Sequence, residues 1–242
     1  MEGQEVINYL LAHENYQIIQ RKDMFNFSLD TVLLSDFVTL NAGISSVVDF
    51  GTNNAAIPLL ISMRTKAKII GVEIQEEACV IANKNIEMNH LTDQVEIVHD
   101  DIKHYVTIPN LVDVVICNPP FFKLGERSNV NENEMIRIAR HEVYINLEEI
   151  IQSASKILKQ KGRFALVHRP DRLIEILNYM QKYDIQPKRL RMIYPKVGKE
   201  CNTILIEGVY KGSKEGLRIL PPLYAHNNDG SYSDEVKKIF GE

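Results

Sequence analysis

The sequence of 242 residues has no tryptophan, only three cysteines and no apolar run of the length that crosses a bilayer. Because a transmembrane helix needs about 20 consecutive apolar residues, we expect a soluble protein. Cys79, Cys117 and Cys201 lie far apart, without CxxC spacing or a nearby histidine cluster. This spacing argues against a disulfide framework and a zinc site, so we expect no metal and interpret the cysteines as buried apolar residues.

An excess of positive charge is also missing. The 28 lysine and arginine residues face 32 aspartate and glutamate residues, which gives a formal net charge of -4. Because the phosphate backbone attracts basic proteins, any nucleic-acid site must be a local basic patch. The first five residues are acidic and lack the cationic segment of a signal peptide, which predicts a cytoplasmic location.

No repeat, low-complexity tract or Gly/Ser-rich linker divides the chain, so we expect one structural unit. From residue 47, short β-branched runs alternate with helix-like segments, which predicts an α/β, Rossmann-like domain over 47–242 with helices on both faces of a mostly parallel sheet. Residues 1–46 form an N-terminal segment that packs on this core and contains a helix beginning near Ser28. Helices are also expected at 75–89 and 147–159. Seven strands are expected, at residues 47–50, 68–72, 95–98, 113–117, 163–167, 190–194 and 203–210.

The segment 47–57 reads as a buried strand, a tight turn and a helix. In doubly wound folds such a turn lies at the carboxyl edge of the sheet, where ligands bind. Gly51 lets the backbone approach a ligand, and Asp49 can face the cationic end of an amino-acid moiety. The glycine-rich version of this turn has two more glycines, where this chain has Asn53 and Ala55. Asparagine tolerates the left-handed conformation and alanine is small, but the turn alone also fits an ordinary strand-to-helix connection.

Acidic residues follow the next two strands. Glu73 stands 22 positions after Gly51, where a carboxylate can accept hydrogen bonds from both hydroxyls of a ribose. After the third strand, Asp100 or Asp101 can accept a hydrogen bond from the adenine amine of a cofactor while Ile102 covers the ring. We favour Asp101, and helix capping by either aspartate is the alternative.

The motif Asn118-Pro119-Pro120-Phe121 directly follows the fourth strand. An exocyclic amine on a base is a poor nucleophile because its lone pair is delocalised into the ring, so a catalyst must orient it. The Asn118 side-chain oxygen and the Pro119 carbonyl can each accept one amine hydrogen, which directs nitrogen density at an electrophilic methyl group. The prolines stiffen the turn, and Phe121 offers a face on which an extruded base can stack.

In this order the features resemble the class I S-adenosylmethionine-dependent methyltransferases, a seven-stranded fold, and among them the amino-group methylases with an Asn-Pro-Pro-aromatic signature. Residues 27–34 resemble the helical segment before the first strand of these enzymes, and 221–223 with 231–234 resemble a characteristic tail. The chain is thereby similar to the bacterial family that methylates N6 of adenine 37 in valine tRNA. The resemblance implies S-adenosylmethionine as cofactor, tRNA as partner and a catalytic role for Asn118, Pro119, Pro120 and Phe121. It implies cofactor contacts at Asp30, Asp49, Gly51, Asn53, Glu73, Ile74, Asp101, Ile102 and Asn118.

Two regions offer basic residues for phosphates, one after the catalytic motif and one on the later strands. Acidic residues interrupt the first region, and a plain solvated surface is the alternative for both. RNA contacts are expected at Lys123, Arg127, Arg140, Lys188, Arg189, Arg191 and Lys196, with Lys199 in the same run as the last four.

Other functions remain open. The acceptor can be a guanine amino group of ribosomal RNA or a glutamine side chain of a protein, because each presents the same planar amine; Phe121 is more typical of the nucleic-acid enzymes. Asn53 and Ala55 in place of glycines also suit a binding protein without turnover. A Rossmann dehydrogenase suits the turn and the acidic strand end but leaves Asn118 unexplained.

Overall fold

A computed structural model of the protein describes residues 5–11, 13–21, 26–105, 111–119 and 146–242. The strands are β1 (Glu5–Leu10), β2 (His13–Arg21), β3 (Ser46–Phe50), β4 (Lys68–Glu73), β5 (Val95–His99), β6 (Val112–Cys117), β7 (Leu158–His168), β8 (Ile185–Tyr194), β9 (Thr203–Tyr210), β10 (Arg218–Ile219) and β11 (Leu223–Tyr224). The helices are α1 (Leu29–Phe37), α2 (Ala56–Ser62), α3 (Glu76–Met88), α4 (Leu147–Ile157), α5 (Leu173–Lys182) and α6 (Asp234–Phe240).

The main sheet confirms the predicted α/β, mostly parallel architecture. Its order is β10-β8-β9-β7-β6-β3-β4-β5, and β11 also pairs with β8, so this sheet has nine strands within the described residues. The strands β7, β6, β3, β4 and β5 are parallel, whereas β9 runs antiparallel between β7 and β8. All seven expected strands are present. The two additional strands have two residues each, too short for a periodic pattern in the sequence.

Helices cover both faces of this sheet, as predicted. Side chains of α1, α2, α3 and α6 join one hydrophobic cluster, and those of α4 and α5 join the other. Strand β6 contributes side chains to both clusters: Val114 and Ile116 belong to the first, and Val115 and Cys117 belong to the second. A strand buried on both faces is expected to be continuously apolar, which explains why β6 was evident from the sequence. Among the described residues, no helix is long and apolar enough to cross a membrane.

Helix α1 confirms the predicted helical segment before the first sheet strand. The Ser28 backbone N–H donates to Thr31 Oγ1 at 3.3 Å and so helps the helix to begin. Val32, Leu33 and Leu34 are buried in the same cluster as the sheet side chains. Helix α1 therefore lies against the sheet and positions its first turn relative to the strand ends.

The N-terminal segment also contains an antiparallel hairpin, β1–β2, which the prediction of a helical segment missed. Strand β2 is attached to helix α3 and the residue after it by side-chain amides. These amides accept hydrogen bonds from backbone N–H groups of β2, as a second neighbouring strand would. The Ile19 N–H donates to Asn85 Oδ1 at 2.7 Å, and the Gln17 N–H donates to Asn89 Oδ1 at 2.9 Å. Asn85 Nδ2 in turn donates to the backbone oxygen of Asn54 at 2.8 Å, which ties the hairpin to the turn after β3.

Candidate active site

Several of the predicted cofactor-site residues, among them Gly51, Glu73 and Asn118, lie at the carboxyl edge of the parallel strands. Phe50 at the end of β3 pairs in register with Val72 of β4 and Cys117 of β6. Gly51 and Asn118, the next residues after Phe50 and Cys117, therefore lie at one edge, close to the end of β4. The Gly51 N–H donates to the Val72 oxygen at 2.9 Å and fixes the start of the turn against β4.

The turn after β3 adopts the backbone conformation of a glycine-rich turn, although Gly51 is its one glycine. Gly51, Asn53 and Ala55 have φ values of 71°, 50° and 63°, all in the left-handed region. A Cβ atom at Gly51 would meet no atom of the described residues within 4 Å, so they leave the turn open on that side. Asparagine enters this region more readily than most residues, whereas alanine is strained there by roughly 1–2 kcal/mol.

Glu73, at the end of β4, is buried with 3% of its surface exposed. Its Oε2 accepts from the Asn53 N–H at 2.9 Å, and its Oε1 accepts from the Gln75 N–H at 2.9 Å. Each carboxylate oxygen has a further lone pair, which leaves acceptor capacity for a ligand hydroxyl. The carboxylate thus holds the turn in addition to any role toward a ribose.

Asp49 is fully buried beneath the same turn. Within the described part of the chain, its two carboxylate oxygens and Thr52 Oγ1 have no hydrogen-bond partner. Burial raises the pKa of Asp49 to about 8; the Thr52 hydroxyl is near enough to lower it in part without reaching hydrogen-bond geometry, and the Glu73 carboxylate raises it further. Buried polar atoms without partners need an explanation, and a cationic donor at the turn would supply one.

Gly71 is a positioning residue that the sequence reasoning missed. A Cβ atom there would stand 2.7 Å from Thr52 Cγ2 and Oγ1, so the absent side chain makes room for the turn. The available signal was a glycine inside a strand, which often marks close approach of another backbone segment.

The acidic pair after β5 has the capping role considered for it. Asp101 Oδ1 accepts from the Lys103 N–H at 2.9 Å, and its backbone oxygen accepts from the Tyr105 N–H at 2.8 Å, so it starts a helical turn. Asp100 Oδ1 accepts from the Asp101 N–H at 2.7 Å. Ile102 is half-buried against the second hydrophobic cluster. Both aspartates lie at the ligand edge, and the choice of Asp101 for the adenine amine stays a prediction.

Asn118 is half-buried directly after β6, and Pro119 beside it is buried. The Asn118 Nδ2 donates to Thr31 Oγ1 of helix α1 at 3.0 Å. This contact brings the first turn of α1 to the predicted catalytic amide. The predicted site residues Pro120, Phe121, Lys123, Arg127 and Arg140 lie outside the described residues.

Asp30 precedes Thr31 and faces the first residue of β9. Thr203 Oγ1 donates to Asp30 Oδ1 at 3.3 Å. Burial raises the pKa of Asp30, and the positive charge of Arg169 opposes that rise. His168, the last residue of β7, is buried, and its pKa is lowered to about 4 by burial and by Arg172. Asp30, Thr203 and His168 thus form a partly buried polar cluster on the α1 side of the site. Of these three, only Asp30 was predicted from the sequence as a site residue.

Three of the predicted RNA-contact residues are engaged within the protein. Arg189 Nη1 donates to the Phe37 oxygen at 2.8 Å and lies 3.4 Å from the buried Glu207 carboxylate. Arg191 pairs with Glu235 at 2.6 Å, and Lys188 Nζ donates to Ser213 and to the backbone oxygen of Glu215. These contacts favour structural roles. A sequence could not separate them from free cations, because the partners are distant along the chain.

Lys196 differs from these residues because it is exposed, in the loop between β8 and β9. Since β7 and β8 both run antiparallel to β9, the carboxyl end of β8 lies at the same edge as Asn118. An open cavity of about 680 Å³ lies at this loop. It is lined by Pro195, Lys196, Gly198, Lys199, Glu200, His226, Asn227 and Gly230.

The order of the sheet, the left-handed turn and the asparagine after β6 together assign the chain to the class I methyltransferases. The family model of the methyltransferase small domain matches residues 28–182. A tRNA1(Val) (adenine(37)-N6)-methyltransferase of Porphyromonas gingivalis is 31% identical over 201 residues, which cover 79% of this chain and 76% of the relative. One from Bacteroides thetaiotaomicron is 24% identical over 237 residues, 97% of each chain. The chain belongs to the methyltransferase small domain family and, within it, to the tRNA1(Val) (adenine(37)-N6)-methyltransferases.

Solved structures agree on the fold. A predicted O-methyltransferase from Agrobacterium tumefaciens superposes with a TM-score of 0.70 at 20% identity, covering 88% of this chain and 95% of that one. A geranyl diphosphate methyltransferase in complex with SAM has a TM-score of 0.57 at 13% identity, covering 74% and 83%. At these identities the likeness concerns the arrangement of helices and strands.

Proposed function

We propose that the protein transfers a methyl group from S-adenosylmethionine to the exocyclic N6 of adenine 37 in valine tRNA. The observation that carries this proposal is the position of Asn118, held by helix α1 at the end of β6 and next to the turn after β3. The relatives named above carry the same activity in their names, which favours adenine over the guanine and glutamine alternatives.

The residues at the turn fit the chemistry of this cofactor. The buried carboxylate of Asp49, without a partner among the described residues, suits the ammonium group of a methionine moiety. Gly51 leaves open space for close approach, and the spare lone pairs of Glu73 suit ribose hydroxyls. When bound, S-adenosylmethionine supplies an electrophilic methyl group. We propose further cofactor contacts at Asp30, Asn53, Ile74, Asp101, Ile102 and Asn118.

Catalysis in this proposal is orientation of the acceptor. The Asn118 Oδ1 and the Pro119 carbonyl each accept one hydrogen of the exocyclic amine, which turns the nitrogen lone pair out of the ring and toward the methyl group. The acceptor nitrogen would gain the methyl group as the bond from sulfur to that methyl group breaks, with S-adenosylhomocysteine as the leaving group and one proton released to solvent. Removing a positioned hydrogen-bond partner of a reacting group typically lowers a rate by roughly 10²–10³-fold.

The tRNA is proposed to reach this edge across the loop that carries Lys196 and Lys199. Both cations are exposed beside the catalytic edge in a protein whose net charge is negative, so they provide the local attraction that phosphates require. Lys123, Arg127 and Arg140 follow the catalytic motif and are proposed to contact the nucleotides around the target base. A tRNA substrate also implies a location in the bacterial cytoplasm.

The test is Asn118→Ala, with Asn83→Ala on the exposed surface of α3 as the matched control. We expect Asn118→Ala to bind S-adenosylmethionine in calorimetry within about tenfold of the unmodified protein, the loss of one uncharged contact, and to methylate valine tRNA at least about 100-fold more slowly. Nucleoside mass spectrometry of tRNA and ribosomal RNA, from cells with and without the protein, identifies the acceptor. Loss of a methylguanosine instead of N6-methyladenosine, or unchanged transfer by Asn118→Ala, contradicts the proposal.

A further inference from the structure

We propose that Thr31 is a positioning residue that holds the Asn118 amide with its oxygen end toward the acceptor amine. The inference rests on the proposed function and deepens it. Its basis is the hydrogen bond from Asn118 Nδ2 to Thr31 Oγ1 at 3.0 Å, between side chains 87 positions apart in the sequence.

Orientation matters because the two ends of the amide have opposite chemistry. The oxygen accepts hydrogen bonds, whereas the nitrogen only donates them. An amine that must give up hydrogens to the enzyme can use the oxygen end alone. If the amide of Asn118 were reversed, N–H groups would face N–H groups and the acceptor would be pushed away.

Asparagine does not select this orientation by itself. The terminal torsion of its side chain is broad and nearly two-fold, so a partner is needed to hold one of the two orientations. Thr31 provides that partner on one side, because its hydroxyl oxygen receives the Ser28 N–H and keeps a second lone pair for an Asn118 Nδ2 hydrogen. On the other side the described residues place no hydrogen-bond donor against the Asn118 oxygen, which leaves Oδ1 available to the substrate.

The Thr31 hydroxyl is itself fixed, so it can act as a reference point. Its side chain is buried in the first turn of α1, with 4% exposed. Its oxygen also accepts from the Ser28 N–H at 3.3 Å, a group that can only donate. A β-branched side chain in a helix has few accessible rotamers, so the oxygen stays where the amide nitrogen of Asn118 meets it.

The opposite partner of the contact is equally constrained. Cys117 pairs in register with Phe50 and with Leu166, so strands on both sides hold the backbone before Asn118. With both ends anchored, the amide flip is the main remaining freedom. The hydroxyl of Thr31 therefore acts on the reaction through the direction of Asn118, without itself reaching the substrate.

The test compares Thr31→Val, which keeps the shape and removes the oxygen, with Thr31→Ser, which keeps the oxygen. Ser35→Ala is the matched control, because Ser35 is equally buried on α1 and its Oγ donates to the Thr31 backbone oxygen at 2.8 Å. We expect Thr31→Val to lower kcat roughly tenfold, with the Kd for S-adenosylmethionine within about twofold of the unmodified protein. Thr31→Ser should retain most activity, and Ser35→Ala should match Thr31→Val in Tm but not in kcat.

Two further readouts separate this inference from the proposed function. Adding Thr31→Val to Asn118→Ala should cost no more activity, because both changes act on one group. The Asn118 side-chain NH2 resonances should exchange with solvent faster in Thr31→Val, a measurement that needs no turnover. Full kcat in Thr31→Val, equal losses in Ser35→Ala, or unchanged exchange overturns the role of Thr31. A protein with protected Asn118 amide protons but no tRNA methylation contradicts only the proposed function.

Discussion

The Glu73 carboxylate accepts the backbone N–H of Asn53 at 2.9 Å, so the acidic strand end and the turn after β3 form one unit. A residue expected from the sequence to bind a ribose therefore also fixes the backbone that approaches the ligand. Changes at Glu73 must alter the stability of the turn and the affinity for the cofactor together.

We expect Glu73→Gln to lower the free energy of unfolding by about 1–3 kcal/mol, because the amide nitrogen leaves one buried backbone N–H without an acceptor. The Kd for S-adenosylmethionine should rise about 10- to 100-fold as the charged acceptor is lost. Urea unfolding and calorimetry measure the two effects. Glu96→Gln, an exposed glutamate on β5, is the control and should change neither quantity. A loss of affinity without a loss of stability would assign Glu73 to the ligand alone.

Asp49 predicts a pH dependence with a defined sign. Its pKa is about 8 in the folded protein against an ordinary value of 3.8, so between about pH 4 and 8 the folded state holds the extra proton. The stability of the free protein should therefore fall as pH rises through this window and level off above it. An ammonium group binds the ionised carboxylate, so cofactor binding should release a proton at pH 7 and strengthen toward pH 8.

Calorimetry in two buffers of different ionisation enthalpy measures the released proton. Asp49→Asn should abolish the release, flatten the stability profile and weaken cofactor binding about 10- to 100-fold. Asp113→Asn is the control, because hydrogen bonds from Lys159 and Ser45 outweigh burial and lower the pKa of Asp113 to about 2. That carboxylate stays ionised throughout, so its loss should leave the proton release intact.

The strain at Ala55 can be measured against its neighbour. Ala55→Gly relieves roughly 1–2 kcal/mol of left-handed strain, which offsets about 0.8 kcal/mol for the buried methyl group and about 0.5–1 kcal/mol for glycine flexibility. We expect its unfolding free energy to stay within about 0.5 kcal/mol of the unmodified protein. Ala56→Gly, equally buried but inside α2, lacks the relief and should cost about 1–2 kcal/mol. Equal losses in chemical denaturation would show that the turn carries no such strain.

The RNA surface predicts a difference between lysines at opposite edges of the sheet. Lys196→Ala and Lys199→Ala should each reduce the slope of log affinity for tRNA against log salt by about 0.7–0.9, the release expected for one phosphate contact. Lys214, exposed in the loop after β9, lies at the other edge and serves as the control. A salt titration of tRNA binding measures these slopes. Equal slopes for Lys196→Ala and Lys214→Ala would show that the loop between β8 and β9 does not contact the tRNA.

The sequence anticipated the strands whose apolar runs are local, such as β6, and the edge at which Gly51 and Asn118 meet. It missed the β1–β2 hairpin, because β2 is held to the rest of the protein by side-chain amides such as that of Asn85, 66 positions away, and not by a strand of the main sheet. It also treated Arg189 as an RNA contact, although its partners Phe37 and Glu207 are brought to it only by tertiary folding. Patterns within a short window predict elements, whereas pairings across the chain need the fold.

The contact between Asp30 and Thr203 joins residues 173 positions apart, and β9, which begins at Thr203, sits between β7 and β8. Such long-range pairings slow folding, because a large loop must close before its contacts stabilise the structure. We therefore expect the catalytic edge to be among the late features to assemble as the chain folds. In a refolding experiment, recovery of the helical circular-dichroism signal should precede recovery of methyl transfer. The interval between the two measures the time that β9 needs to pair with β7 and β8.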